Sequence, residues 1–173
     1  MPGSLGLDRV ATPRLAGRRP EPEDRAAWIR WYTDPRIDEA AWPEHLRTAD
    51  HAQAWLDGAI RHWERWGFGP WTVLEASTPI GQTGLTHTRV RGRPDVELGW
   101  CFASDAWGRG YATEMAREAV RVAFAVLELD EVVAFTTPGN IASLAVIERL
   151  GMTFSGEVAH AGLTHRLFTL RRA

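Results

Sequence analysis

Hydrophobic spacing divides the chain into four helical and seven extended stretches. After Ala112, apolar residues fall at Met115, Ala116, Ala119, Val120, Ala123 and Val126, one face of an α-helix with a period of 3.6. "TADHAQAWLDGAIRHWERWG" shows the same period, with Thr48 as N-cap and Gly67 as stop. "EPEDRAAWIRWYTDP" reads as a helix opened by acids and proline and closed before Pro35, and "NIASLAVIERLG" as one ending at Gly151. "ATPRLAGRRP" predicts a short first strand. "PWTVLEAS", "PIGQTGLTHTRV" and "DVELGWCFA" follow as three strands on short links, the mark of an antiparallel meander. "EVVAFTT", "MTFSGEVAH" and "LTHRLFTLRR" complete the set. The order β α α β β β α β α β β predicts an α/β (α+β) fold with a mixed sheet of about seven strands and about four helices. With no repeat or linker, residues 1–173 read as one domain, about 1–10 being a flexible arm.

Composition narrows the chemistry. The 173 residues carry a formal charge of −2, so no basic footprint points to nucleic acid. No apolar run reaches the ~18 residues of a membrane span, and "MPGSLGLDRV" lacks the pattern of a secretion signal. A single cysteine, Cys101, fits a reducing compartment, and a cytoplasmic location is expected. All 20 basic residues are arginine, which removes a Walker lysine and any Schiff-base lysine. The six histidines, His45, His51, His62, His87, His160 and His165, show no metal-ligand spacing, so no metal is expected. Of nine tryptophans, seven precede Gly81; Trp28 and Trp31, like Trp63 and Trp66, stand three apart, as core helices require. Trp42, in the turn-like "EAAWPEH", is the one assigned to a substrate wall, with packing as the plainer alternative.

The loop "WGRGYAT", Trp107 to Thr113, enters the third long helix with two glycines, an arginine and no acid. Free amide hydrogens and a partial positive charge at a helix N-terminus form an anion site, and glycine lets a ligand approach the backbone. A plain tight turn is the alternative. "GRGYAT" also approaches the dinucleotide fingerprint, with Asp130 near the position of a ribose-binding acid. A preceding meander and only 60 following residues argue against a doubly wound sheet.

"ELGWCFASDAWGRGYATEMAREAV" followed by "VVAFTTPGNIASLAVIERLGM" resembles the GNAT superfamily of N-acetyltransferases, in its RimJ/RimL-type branch. The family's Q/R-x-x-G-x-G/A loop falls on Trp107 to Ala112, with Trp107 in place of Gln or Arg. Its E-[I/L]-G-[Y/W] strand falls on Glu97 to Trp100, its N-x-x-S helix start on Asn140 and Ser143, and its "LG" stop on Leu150 and Gly151.

The resemblance implies a V-shaped split between the fourth and fifth strands and acetyl-CoA as co-substrate. It implies a pyrophosphate at Trp107, Gly108, Arg109, Gly110, Tyr111, Ala112 and Thr113, and a pantetheine arm beside Trp100, Cys101 and Phe102. It makes Glu97 the general base and the Phe102 N–H the oxyanion donor. A solvent-facing strand carboxylate is the other reading of Glu97, and His87 on the preceding strand is the rival base. Relatives' tyrosine acid has no counterpart among Leu144, Ala145, Val146 and Ile147, which leaves Ser143 as proton donor to the thiolate. Asn140 is expected to cap its helix, to bond the pantetheine, or both. Cys101 reads as a small buried residue, not a nucleophile. The implied reaction is direct acetyl transfer to a primary amine of a peptide, an amino acid or a small molecule. Asp34, Asp38, Glu39 and Glu44 would favour polycations if they line a groove. A non-catalytic acyl-CoA-binding module is the competing reading; a homodimer is compatible with either.

Overall fold

The computed structural model describes residues 6–173. A hairpin comes first: β1 (Arg9–Ala11) and β2 (Ala16–Arg18), closed where Thr12 N–H donates to Leu15 O at 2.8 Å. Pro13 presets the turn. The single first strand expected from the sequence is thus two. The expected arm over 1–10 is corrected in part: its residues 1–5 lie outside the described residues, but Leu7 is buried, its carbonyl accepts from Trp71 Nε1 at 2.8 Å, and Arg9 and Val10 belong to β1.

After a short 3₁₀ turn come α1 (Arg25–Tyr32) and α2 (Ala49–Trp66). In α2, the Thr48 hydroxyl accepts from His51 N–H, and Gly67 closes the helix in the left-handed conformation. The meander follows as β3 (Pro70–Glu75), β4 (Thr78–Val90) and β5 (Arg93–Phe102), each pair antiparallel. Then come α3 (Tyr111–Ala125), β6 (Glu131–Thr136), α4 (Ile141–Arg149), β7 (Thr153–His160) and β8 (Leu163–Arg171). Among the described residues the eight strands lie in the order β1-β2-β3-β4-β5-β6-β8-β7, and of these pairs only β5 and β6 run parallel.

Helices cover both faces. On one, Met115, Ala116, Ala119, Val122 and Ala123 of α3 and Val146 and Ile147 of α4 pack with Leu85, Leu98 and Phe102. On the other, Trp28, Trp31 and Tyr32 of α1 meet Ala52, Leu56 and Ala59 of α2, with Cys101 against them. Alternation along β5 therefore sends Leu98, Trp100 and Phe102 towards α3 and α4, and Glu97 and Cys101 towards α1 and α2.

Two local devices hold this frame. Buried Asp24 accepts both Arg18 guanidinium nitrogens, at 2.6 and 2.9 Å, and the Thr72 hydroxyl at 2.8 Å, tying α1 to β2 and β3. Past Gly84, where β3 ends, the outer edge of β4 has no strand partner among the described residues. There the His62 ring takes the His87 N–H on Nε2 at 2.9 Å and donates from Nδ1 to Phe68 O at 2.7 Å. Those bonds define a neutral imidazole, and burial holds its pKa below the usual histidine value.

Candidate active site

β5 and β6 meet at one register point, Glu97 opposite Val133. Beyond it β5 stays on β4 as far as Phe102 and β6 stays on β8 as far as Thr136, so the two inner edges part in a V. In an eight-strand count this gap follows the fifth strand. It opens into a cavity of about 700 Å³, lined by Glu97, Gly99 and Trp100 on one arm and by Ala134 and Thr136 on the other.

Strand parity shows which amides face the gap. Ala103 N–H donates to Ile80 O at 2.8 Å, so Ala103, Cys101, Gly99 and Glu97 are the β5 positions bonded to β4. The amides of Trp100 and Phe102 point the other way, into the split, while that of Leu98 faces β6 beside the Glu97–Val133 contact. The Phe102 carbonyl, on that same edge, accepts from Trp107 Nε1 at 2.8 Å. At about 3.3 Å per residue, Trp100 stands roughly 10 Å along the strand from Glu97 and Phe102 roughly 17 Å.

Glu97 sits at the apex of the V. It is half-buried, faces α1 and α2, and has no hydrogen-bond or ion-pair partner among the described residues. Burial pushes its carboxyl up to about 7. Across the same wall the Tyr32 hydroxyl accepts from Gln82 Nε2 at 3.0 Å, and burial keeps that phenol protonated well above its usual range. Burial also pushes the Cys101 thiol up to about 12, so it stays an unreactive thiol at neutral pH.

The second cavity, about 1090 Å³, lies at the far end of β5, against Phe102, Trp107 and the mouth of α3. Gly108 and Gly110 both adopt positive φ, 73° and 77°, which turns the chain sharply into α3. The amide hydrogens of Gly108, Arg109, Gly110, Tyr111, Ala112 and Thr113 find no acceptor among the described residues. Arg14 and Arg109 flank the Tyr111 ring at 4.7 and 4.5 Å. Glu75 accepts from Arg109 and from the Tyr111 hydroxyl, while Arg14 grips Glu114 and donates to Arg109 O at 2.9 Å. The carboxylates near the loop are thus neutralised, and Arg117 and Arg149 add positive charge to the same wall. Open amides, positive-φ glycines and surplus arginine fit a pyrophosphate.

α4 walls both cavities. Asn140 Oδ1 caps it by accepting from Ser143 N–H at 3.1 Å, and the side-chain nitrogen of Asn140, which lines the first cavity, has no hydrogen bond among the described residues. Ser143 Oγ accepts from Trp100 Nε1 at 3.2 Å, so its own proton is free to be donated.

The structure therefore gathers Glu97, Trp100, Trp42, Asn140 and Ser143 around one cavity, and Trp107 to Thr113 with Phe102 around the next. His87 is exposed, packs on Trp66 and Phe68, and lines neither. Sequence reasoning missed Tyr32, Trp55 and Gln82, which line the first cavity, and the inward Trp100 amide. Nothing in local spacing marks the first three; the amide needed the register of β4 on β5.

A model of the acetyltransferase (GNAT) domain matches residues 14–153. This chain belongs to the GNAT family. Like its relatives it is an acetyl-CoA-dependent acetyltransferase. It is 32% identical over 152 residues to the uncharacterized N-acetyltransferase YnaD of Bacillus subtilis (strain 168), covering 85% of this chain and 84% of YnaD. The acetyltransferase of Agrobacterium tumefaciens str. C58 superposes with a TM-score of 0.79 at 26% identity, over 95% of this chain and 94% of that one. RimJ of Mycobacterium smegmatis, solved with CoA-disulfide, superposes with a TM-score of 0.65 at 22% identity, over 91% and 81%. Since RimJ-type structures stand among other GNAT acetyltransferases, the likeness speaks for the family and not for one branch.

Proposed function

We propose that this GNAT protein is an N-acetyltransferase that moves the acetyl group of acetyl-CoA directly to a primary amine in the V-shaped split. The observation that carries the reading is Glu97: an unpaired carboxyl with a pKa near 7, at the apex of a cavity into which strand amides point. A typical amine is protonated at neutral pH and must lose that proton to attack a thioester. A carboxylate tuned close to the working pH is matched to that task.

The other roles follow from position. The Gly108–Thr113 amides hold the pyrophosphate, with Arg117 and Arg149 supplying positive charge on the same wall. The Phe102 N–H, nearest that cradle, bonds the extended arm as a strand partner would, together with the Asn140 amide nitrogen. The Trp100 N–H lies nearer to Glu97 and is assigned to the thioester oxygen, in place of Phe102. Ser143 donates to the departing sulfur, its oxygen being held by the Trp100 indole. His87 is given no part, since it lines neither cavity.

The test is thiol release from acetyl-CoA with a panel of amines, for wild type and Glu97→Gln. Wild type should release CoA only when an acceptor is present, and the variant should lose about 10²–10⁴ in rate. Tight acetyl-CoA binding with no thiol released by any amine would overturn the reading.

A further inference from the structure

Three aromatic rings far apart in sequence converge on the apex of the split. Tyr32 lies 4.4 Å from Trp55 and 5.2 Å from Trp42, and the two indoles are 4.8 Å apart, centroid to centroid. All three line the cavity that holds Glu97, and both indoles are only half-buried. The wall therefore offers ring surface that no described residue covers.

The charges around that wall are as informative. Apart from histidine, Glu97 is, among the described residues, the only side chain lining the cavity that can carry a full charge at neutral pH; no arginine and no second carboxylate among them lines it. The acids of the neighbouring loop do not help. Asp34 is held by Arg36 and Ser104, Asp38 accepts from Ala40 N–H at 2.7 Å, and Glu39 is taken by Arg47 and by Glu44 N–H. None of them, nor Glu44, lines the cavity.

We infer that the acceptor is a small primary monoamine with an aromatic body and no other charge, its ring on Trp42 and Trp55 and its nitrogen at Glu97. This rests on the acetyltransferase reading and names its substrate class. A polyamine or aminoglycoside would bring several ammonium groups to a single carboxylate, and each unpaired cation in a half-buried site is costly. A free amino acid would bring a carboxylate that meets no arginine. An aromatic body instead gains apolar burial and ring-on-ring contact against surface already in place. Acetyl transfer balances: the ammonium gives one proton to Glu97, the amine nitrogen bonds the acetyl carbon and the carbon–sulfur bond breaks, the thiolate takes the Ser143 proton, and the second proton that the nitrogen sheds on becoming an amide restores the Ser143 hydroxyl.

The test compares 2-phenylethylamine with ethylamine, spermidine, kanamycin, phenylalanine and a peptide with N-terminal phenylalanine. Thiol release is followed, and each amine is also titrated calorimetrically into CoA-saturated protein. The expectation is a kcat/KM for phenylethylamine at least about tenfold above every other amine, with saturable binding. Trp42→Ala and Trp55→Ala should collapse the phenylethylamine-to-ethylamine ratio, and Trp42→Phe should restore much of it, which separates ring contact from misfolding. Preference for spermidine, kanamycin, phenylalanine or the peptide would overturn the acceptor class while leaving acetyl transfer intact. Absence of phenylethylamine binding and turnover would also overturn it. Saturable, Trp42-dependent binding without acetylation would uphold the aromatic-amine site and overturn the catalytic reading.

Discussion

Replacing Glu97 by glutamine should stabilise this protein at alkaline pH while removing its activity. The half-buried carboxyl titrates near 7 in the fold against an ordinary value of 4.5. The fold thus favours the protonated form. Its stabilising effect is complete below about pH 4.5 and is lost as pH rises through 7. A rise from 4.5 to about 7, at about 1.4 kcal/mol per pH unit, amounts to about 3 kcal/mol at full burial. The cavity opens to solvent, and screening there brings the figure to about 2 kcal/mol. Glutamine keeps the shape and carries no charge, so it escapes the penalty. For a chain of this size the difference corresponds to a melting point about 4–8 °C above wild type at pH 8.5, shrinking towards zero at pH 4.5. Differential scanning fluorimetry across pH 4.5–8.5 reads it directly, and wild-type kcat/KM should rise through a limb near pH 7 that the variant lacks. A melting difference that is the same at both ends of the pH range would refute a buried, unpaired Glu97.

Gly110→Val puts a β-branched residue at φ 77° among the open amides, and acetyl-CoA binding by calorimetry should weaken at least about tenfold. Asp24→Ala strands the Arg18 guanidinium and the Thr72 hydroxyl and should cost about 3 kcal/mol by urea unfolding, without changing KM for acetyl-CoA in the folded fraction. Gly84→Ala would place a Cβ 2.4 Å from Pro70 Cα and 2.5 Å from Gly69 O, both backbone; a loss of soluble yield or about 3 kcal/mol of stability is expected. Ser143→Ala should lower kcat more than it raises KM, and a reversed split would remove Ser143 as proton donor.

Much of this architecture was legible because its signals are local. Thr48 and Gly67 bound α2 through bonds within one turn, and the Gly108–Gly110 loop announces a helix mouth by residue type alone. The hairpin at Thr12–Leu15 escaped notice because "ATPRLAGRRP" holds too few residues on each side of Pro13 to show alternation. Glu97 stayed ambiguous between surface and cavity. Its face is decided by where α1 and α2 pack, and no strand pattern carries that information. Tyr32, Trp42 and Trp55 form one wall only through the docking of α1, α2 and the loop between them. Trp28 and Trp31, with the same helical spacing that flags core residues, are indeed fully buried, so ring content alone could not separate wall from core.

The imidazole of His62 also acts as a guard against self-association. Where β3 stops, β4 would offer a bare row of donors and acceptors to the strand of another molecule, the usual start of edge-to-edge aggregation. The ring fills one of those vacancies with its unprotonated nitrogen. Acidification that loads this nitrogen turns an acceptor into a donor facing the His87 amide, and the cover is released. Because burial holds the His62 pKa below the usual histidine value, this cover persists through neutral and mildly acidic solution and is lost only on stronger acidification.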